Sequence, residues 1–272
     1  MSGAIGGPLV NPRIPGEGQN VPAIGMGMRP GLTNLDPSSI KSAILQAIRL
    51  GYRHFQITMS NSSEQQALKE AIVKALEGGL VKSRDELFIT CRIQHHDDAG
   101  FDDAVSQDLK KFLEKMQLEY VDLCLVKWQD SDELKRADNW AAMEECRKLG
   151  LTKSIGVCDF SYEMLKNMLE NGKIPPAVNQ LEMQRLLREK ELREFCFANK
   201  ISIIASSITI GEGQDLDLTR FELEGLKNIE KDGQKTADQV VWRWAYEQGV
   251  ALLLESFSQG HMQEILNTLE WN

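Results

Sequence analysis

Eight short apolar runs, separated by segments with helical periodicity, constrain the fold of this chain more than any other feature. The runs are residues 23–24, 53–55, 87–90, 121–126, 154–157, 177–179, 202–205 and 251–254. The first seven lie about 25 to 34 residues apart, the spacing of parallel strands joined by crossover helices. Eight such units form a (β/α)8 barrel of about 250 residues, and a chain of 272 residues can complete one.

The chain is therefore expected to be a single-domain α/β barrel over residues 21–272. Residues 1–20, which are rich in Gly and Pro, are expected to be an N-terminal extension, either a hairpin or disordered. An open doubly wound sheet is the alternative, but it needs a Gly-rich phosphate loop after the first strand. Gly25-Met26-Gly27 supplies only a short GxG there, so the barrel is favoured.

Composition excludes several classes of partner. The formal net charge of -9 repels phosphate backbones, so nucleic acid is not expected to bind. No apolar run reaches the length of about 18 residues that a membrane span needs. The five Cys have no CxxC spacing, which favours reduced thiols and a cytoplasmic protein. His95-His96-Asp97-Asp98 are consecutive residues, which rarely converge on one metal ion, so no metal site is predicted.

Several motifs resemble the aldo-keto reductase family, and in particular plant members such as the chalcone, codeinone and methylecgonone reductases. In chain order, the motifs are GYRHF at 51–55, SRDELFIT at 83–90, LEYVDL at 118–123, WAAMEECRKLGLTKSIGV at 140–157, PPAVNQ at 175–180 and LREFC at 192–196. The resemblance covers residues 21–272. It implies a (β/α)8 barrel, in agreement with the strand count, and NADPH-dependent reduction of carbonyl groups.

The four catalytic positions that the resemblance implies carry other residues here. The family aspartate is replaced by Gln56, the proton-donating tyrosine by Asn61, the lysine by Arg92 and the histidine by Lys127. An Asn amide cannot act as a general acid, a role worth about 10²–10⁴-fold in rate. Arg92 and Lys127 leave two cations among these positions, so the mouth is expected to favour an anion. Trp128 remains beside them as a candidate substrate contact.

The cofactor positions implied by the resemblance are also altered. Remnants of the family contacts are Gln180, Ser256 and Phe257, whereas Asp159, Ser206, Glu255 and His261 occupy altered positions. Glu255 replaces the lysine that attracts the 2′-phosphate of NADPH. At about 4 Å, that exchange turns an attraction of about 4 kcal/mol into a similar repulsion. Ser206 replaces the tyrosine that stacks on nicotinamide, and Asp159 replaces the carboxamide-binding asparagine.

Two further differences concern length. The resemblance implies a shortened rim loop between Trp128 and Trp140, and a missing C-terminal helix and tail after Asn272. Both elements cover the substrate pocket in the family, so a more open site is expected.

These replacements predict a catalytically inactive aldo-keto-reductase-like protein without a cofactor, acting as a binding or regulatory partner of an unidentified protein or small anion. One alternative is a divergent NADPH-dependent carbonyl oxidoreductase of plant specialised metabolism, with another proton donor. A second is an anion-binding or Schiff-base enzyme that uses Lys127, whose amine a neighbouring cation such as Arg92 makes easier to deprotonate.

Overall fold

The eight predicted strands form a closed parallel barrel. The structure, a computed structural model, describes residues 21–28, 36–94, 102–127, 133–206, 208 and 235–270, without the side chains of 94, 102–104 and 133–138. The strands are β1 Ile24–Gly27, β2 His54–Thr58, β3 Phe88–Gln94, β4 Val121–Lys127, β5 Thr152–Cys158, β6 Val178–Glu182, β7 Ser202–Ser206 and β8 Ala251–Leu254. Each strand pairs with the next, and β8 closes on β1. The expected barrel is confirmed.

Helices cover the outside of this barrel. Within the described residues they are α1 Pro37–Arg49, α2 Ser62–Glu77, α3 Asp102–Met116, α4 Glu133–Lys148, α5 Tyr162–Asn171, α6 Met183–Arg188, α7 Lys190–Ala198, α8 Ala237–Glu247 and α9 Gln259–Leu269. A 3-10 turn spans Arg84–Glu86. In α1, the buried residues Ile40, Ile44 and Ile48 recur every fourth position and form the face that packs on the barrel. No described helix is long and apolar enough to cross a membrane.

The barrel interior is packed with side chains. Apolar residues from several strands, including Phe88, Leu123, Val178 and Leu253, form a separate buried cluster there. This filling is typical of the fold, in which the interior is a core and not a channel. Glycines keep β1 close to its neighbours: a Cβ at Gly25 would lie 2.5 Å from Nδ1 of His54.

The strands extend further at their carboxyl ends than the apolar runs predicted. The extensions include Gln56, Arg92, Lys127 and Ser206, which are polar and therefore interrupt an apolar pattern. They still belong to the strands because the parallel register continues through them, pairing Thr58 with Arg92 and Glu182 with Ser206. Residues 1–20 and Trp128 lie outside the described residues, as do His95 and His96.

Candidate active site

Four of the predicted site residues are brought to one end of the barrel by the strands. Gln56 and Arg92 lie near the carboxyl ends of β2 and β3, Lys127 is the last residue of β4, and Asn61 follows β2 at the start of α2. Active sites of (β/α)8 enzymes lie at this end, where the loops after the strands meet. We call the surface formed by these four residues, Cys158, Asp159 and Gln180 the mouth.

Lys127 has an acidic partner that the sequence analysis did not assign to it. Its Nζ donates a hydrogen bond to Oδ2 of Asp159 at 2.6 Å. Strands β4 and β5 are neighbours, so the residues at their carboxyl ends are adjacent. A carboxylate outside the four catalytic positions thus neutralises one of the two cations expected there.

Asp159 is held in place by its backbone as well as by this ion pair. Its φ of 58° lies in the left-handed region, which Asp adopts more readily than most residues. The backbone N–H of Asp159 donates to the carbonyl of Gln180 at 2.8 Å, and its carbonyl accepts from Nη1 of Arg185. These bonds fix the carboxylate beside Lys127.

Arg92, the amide Gln56 and the acid Glu64 form a polar group beside the ion pair. Nη2 of Arg92 lies 3.5 Å from Oγ1 of Thr58. Gln56 and Glu64 are each 4% exposed. Among the described residues, Oε1 of Gln56, Oε2 of Glu64 and Nε of Arg92 have no hydrogen-bond partner. Buried polar atoms without partners are costly, which indicates that water or a ligand completes this group.

Glu64 is a site residue that sequence reasoning missed. Burial raises the pKa of its carboxyl, and the nearby charge of Arg92 offsets part of that rise. The sequence signal was its place three residues after Asn61, in the first turn of a helix that begins at the barrel mouth. A charged residue in that turn ordinarily faces solvent, and only the fold shows that this one is buried.

Asn61 has a structural task in this position. It is the N-cap of α2, and its Oδ1 accepts a hydrogen bond from the backbone N–H of Glu64 at 3.3 Å. This bond satisfies one of the donors left open at the start of a helix. The residue at the implied position of the family's proton donor therefore stabilises a helix and has no acidic proton to give.

Cys158 shows how closely the charges of the mouth are grouped. Burial raises the pKa of its thiol to about 12; Arg92, Asp159 and Lys127 all act electrostatically on it. Its Sγ donates to Oε1 of Gln180 at 3.7 Å. The thiol is thus kept protonated and unreactive, while Gln180, a remnant of the implied cofactor site, is buried beside it.

The remaining cofactor positions lie at the end of β7 and after β8. Oγ of Ser256 is 3.0 Å from Nδ1 of His261 and accepts from the N–H of Ser258 at 3.2 Å. Ser258 is the N-cap of α9 but makes no side-chain hydrogen bond to its first turn. Those backbone N–H groups can therefore receive a phosphate. Phe257 is partly buried against the core, and Ser206 donates to the carbonyl of Leu181 at 3.4 Å.

Glu255 restricts which dinucleotide these cofactor positions can hold. A Cβ at Gly27 would lie 3.2 Å from Cγ of Glu255, which places the glutamate over the end of β1. The sequence from 244 to 272 contains no Lys or Arg. These residues fit a dinucleotide whose ribose carries a free hydroxyl, since carboxylates accept hydrogen bonds from that group. They fit a 2′-phosphate poorly because both carry negative charge.

A family model described as "Aldo/keto reductase family" matches residues 23–272. The chain belongs to the aldo/keto reductase family. It is 44% identical over 246 residues to 7-acetyl-epi-neemfruitin B aldo-keto reductase of Melia azedarach, covering 85% of this chain and 76% of the relative. It is 39% identical over 271 residues to NADPH-dependent codeinone reductase 1-4 of Papaver somniferum, covering 94% and 83%.

Solved structures agree with these sequence relatives. An aldo-keto reductase of the silkworm Bombyx mori superposes with a TM-score of 0.78 at 26% identity, covering 94% of this chain and 81% of that one. An aldo-keto reductase complexed with NADPH gives a TM-score of 0.77 at 25% identity, with the same coverage. These relatives favour the oxidoreductase alternative over the prediction that catalysis has been lost.

Proposed function

We propose that this chain is a nicotinamide-dinucleotide-dependent carbonyl oxidoreductase of the plant specialised-metabolism type. The observation that carries the proposal is its identity of 39 to 44% to plant reductases over most of its length. The substrate class, a ketone or aldehyde on a larger apolar skeleton, is inferred from those relatives' names. The polar carboxyl end of the barrel supports a ligand at this place.

Different residues of the chain would hold the dinucleotide and the substrate. Ser256 and the first turn of α9 would hold phosphates, Glu255 a ribose hydroxyl, and Gln180 the nicotinamide carboxamide. The bound, reduced dinucleotide would supply a hydride. Arg92, a partly exposed cation near the carboxyl end of β3, would polarise a substrate oxygen and orient it within the mouth.

Fluorescence titration tests the binding half of this proposal. NADH and NADPH are added separately to the whole chain while its tryptophan emission is recorded. Saturable quenching by NADH, weaker for NADPH, is expected because Glu255 opposes a 2′-phosphate. Glu255→Lys is the matched variant and should reverse the preference. Absence of saturation with either dinucleotide contradicts the proposal.

A second candidate is a barrel that binds a ligand or a partner without turnover, and the helix-capping role of Asn61 favours it. An amide that serves as an N-cap cannot also be the proton donor of a reduction. This candidate predicts ligand binding without any dinucleotide-dependent product. A turnover assay with a panel of aldehydes and ketones separates the two, since only the oxidoreductase consumes the reduced dinucleotide.

The Schiff-base alternative has less support. Nζ of Lys127 is engaged in an ion pair with Asp159 at 2.6 Å, whereas a Schiff base requires a free neutral amine. Borohydride trapping with the same carbonyl panel tests this directly, and a covalent adduct on Lys127 would restore it.

A further inference from the structure

Carbonyl reduction needs a proton at the oxygen, and no tyrosine of this chain is placed to give one. The chain has four tyrosines. Tyr52 donates to the carbonyl of Met262, and Tyr120 donates to Asp85. Tyr162 packs against Phe195 on α5, and Tyr246 lies in α8 near Arg243. The proton must therefore come from another kind of side chain.

Most other groups of the mouth are excluded by their chemistry. The thiol of Cys158 is buried and strongly disfavours losing its proton, with a pKa raised to about 12. A guanidinium such as that of Arg92 is effectively always protonated. Glu64, beside the mouth, is only 4% exposed, against 34% for the side chain of Lys127, so it is much the less accessible acid. Amides such as Gln56 carry no acidic proton.

Among the residues that the structure describes, Lys127 is the remaining donor with both the chemistry and the access. Its side chain is 34% exposed at the carboxyl end of β4, where it can touch a ligand in the mouth. Ammonium and phenol groups are acids of similar ordinary strength, with reference pKa values of about 10.4 and about 10. We propose, resting on the function proposed above, that Lys127 is the catalytic proton donor and that Asp159 is its positioning residue.

The step balances without a further reactant. The carbonyl carbon receives the hydride and its electron pair from the reduced dinucleotide, the C=O π bond breaks, and the oxygen takes a proton from Nζ of Lys127. The products are an alcohol, the oxidised dinucleotide and a neutral lysine. Lys127 then regains a proton from solvent through its exposed face, while Asp159 stays ionised and keeps the amine aimed at the mouth.

The charged and titratable groups that face Lys127 are consistent with this task. Asp159 lies on the β5 side at 2.6 Å, and Arg92 and Cys158 are close enough to share its electrostatic environment. The carboxylate of Asp159 holds Nζ of Lys127 in place at the mouth.

Two variants separate proton donation from charge alone. Lys127→Arg keeps a cation beside Asp159 but cannot release a proton, so kcat/KM is expected to fall at least about 100-fold while dinucleotide affinity stays within about 3-fold. The kcat/KM of Lys127→Ala should fall similarly. Added ethylammonium should restore part of the rate of this variant, whereas added guanidinium should not. Lys166→Met on exposed α5 is the matched control and should match the parent chain. His95→Gln and His96→Gln test whether either histidine supplies the proton instead.

A binding measurement that involves neither turnover nor dinucleotide tests whether Lys127 reaches a ligand. Benzoate carries its negative charge on oxygen, as a forming alkoxide does, and is titrated by calorimetry. Lys127→Met should weaken the affinity for benzoate at least about 10-fold, and Lys127→Arg should change that affinity by less than about 3-fold. Unchanged benzoate binding in Lys127→Met overturns the inference even if no turnover is found.

The outcomes distinguish the inference from the function on which it rests. A parent chain that transfers no hydride to any carbonyl refutes the proposed function and the proton donor together. If the parent chain is active and the kcat/KM of Lys127→Arg stays within about 3-fold of the parent value, only the assignment of Lys127 as proton donor is refuted. Asp159→Asn should lower kcat and move the high-pH limb of the rate profile, a change that a purely structural role of Asp159 does not produce.

Discussion

Acidification should destabilise this barrel through His54, one of its most deeply buried polar residues. The ring lies inside the barrel with no exposed surface; its Nε2 is 2.9 Å from Oγ1 of Thr90, and its Nδ1 has no described partner. Phe88 packs edge-on against the ring with the centroids 5.1 Å apart. Burial in this apolar setting lowers the pKa of His54 to about 3.

The sign and size of the effect follow from that pKa. In the unfolded chain a histidine titrates near 6.5, so between about pH 6.5 and about pH 3 the unfolded state binds more protons than the folded state. The free energy of unfolding therefore decreases as the pH falls through this window. Each pH unit well inside it costs about 1.4 kcal/mol, which gives about 2 kcal/mol between pH 6.5 and pH 5.

Urea unfolding at pH 7.0 and pH 5.0 measures this contribution. His54→Gln removes the titrating ring while keeping a side chain that can bond Thr90, so its loss of stability on acidification should be about 2 kcal/mol smaller than that of the parent chain. His261→Gln, at an exposed histidine, is the control and should behave like the parent. Equal pH dependence of the parent and His54→Gln would refute the reasoning.

Three other residues give simpler tests. Asn61→Ala removes the N-cap of α2 and should lower the free energy of unfolding by about 1 kcal/mol, measured in urea. Asn61→Asp can still cap the helix and should retain most of the parent stability. No loss of stability in the alanine variant contradicts the capping role. Gly156→Ala places a Cβ 2.6 Å from the carbonyl oxygen of Val178 and should cost about 1–3 kcal/mol by thermal melting; a neutral result shows that the strands separate freely there. Cys158 should resist iodoacetamide at pH 7 in the folded chain and react in urea, as followed by mass spectrometry; rapid native labelling refutes its buried, protonated state.

The barrel was predictable from the sequence because its strands are buried on both faces. Residues of β4 such as Leu123 and Val126 form an apolar run that marks a central parallel strand, and the helices between the runs show their own period. The ends of the strands were less predictable. Arg92 and Lys127 continue the backbone ladder but break the apolar pattern, and that pattern was the only signal for where a strand stops.

The site was predictable as a set of positions but not as a set of interactions. The resemblance located Lys127 and Asp159 separately, one as a catalytic position and the other as a cofactor contact. Their pairing depends on β4 and β5 being neighbours and on the left-handed backbone of Asp159, which the sequence does not display. Glu64 was missed for a similar reason, since its burial depends on how α2 meets the barrel.

Transfer of deuterium tests the proposed function most directly. The whole chain is incubated with the reduced dinucleotide deuterated at the transferring carbon and with a panel of aldehydes and ketones, and the alcohols are analysed by mass spectrometry. We expect an alcohol that carries one deuterium at the former carbonyl carbon and that is absent without protein. Saturable dinucleotide binding with no deuterium in any alcohol would contradict it and leave a barrel that binds without reducing.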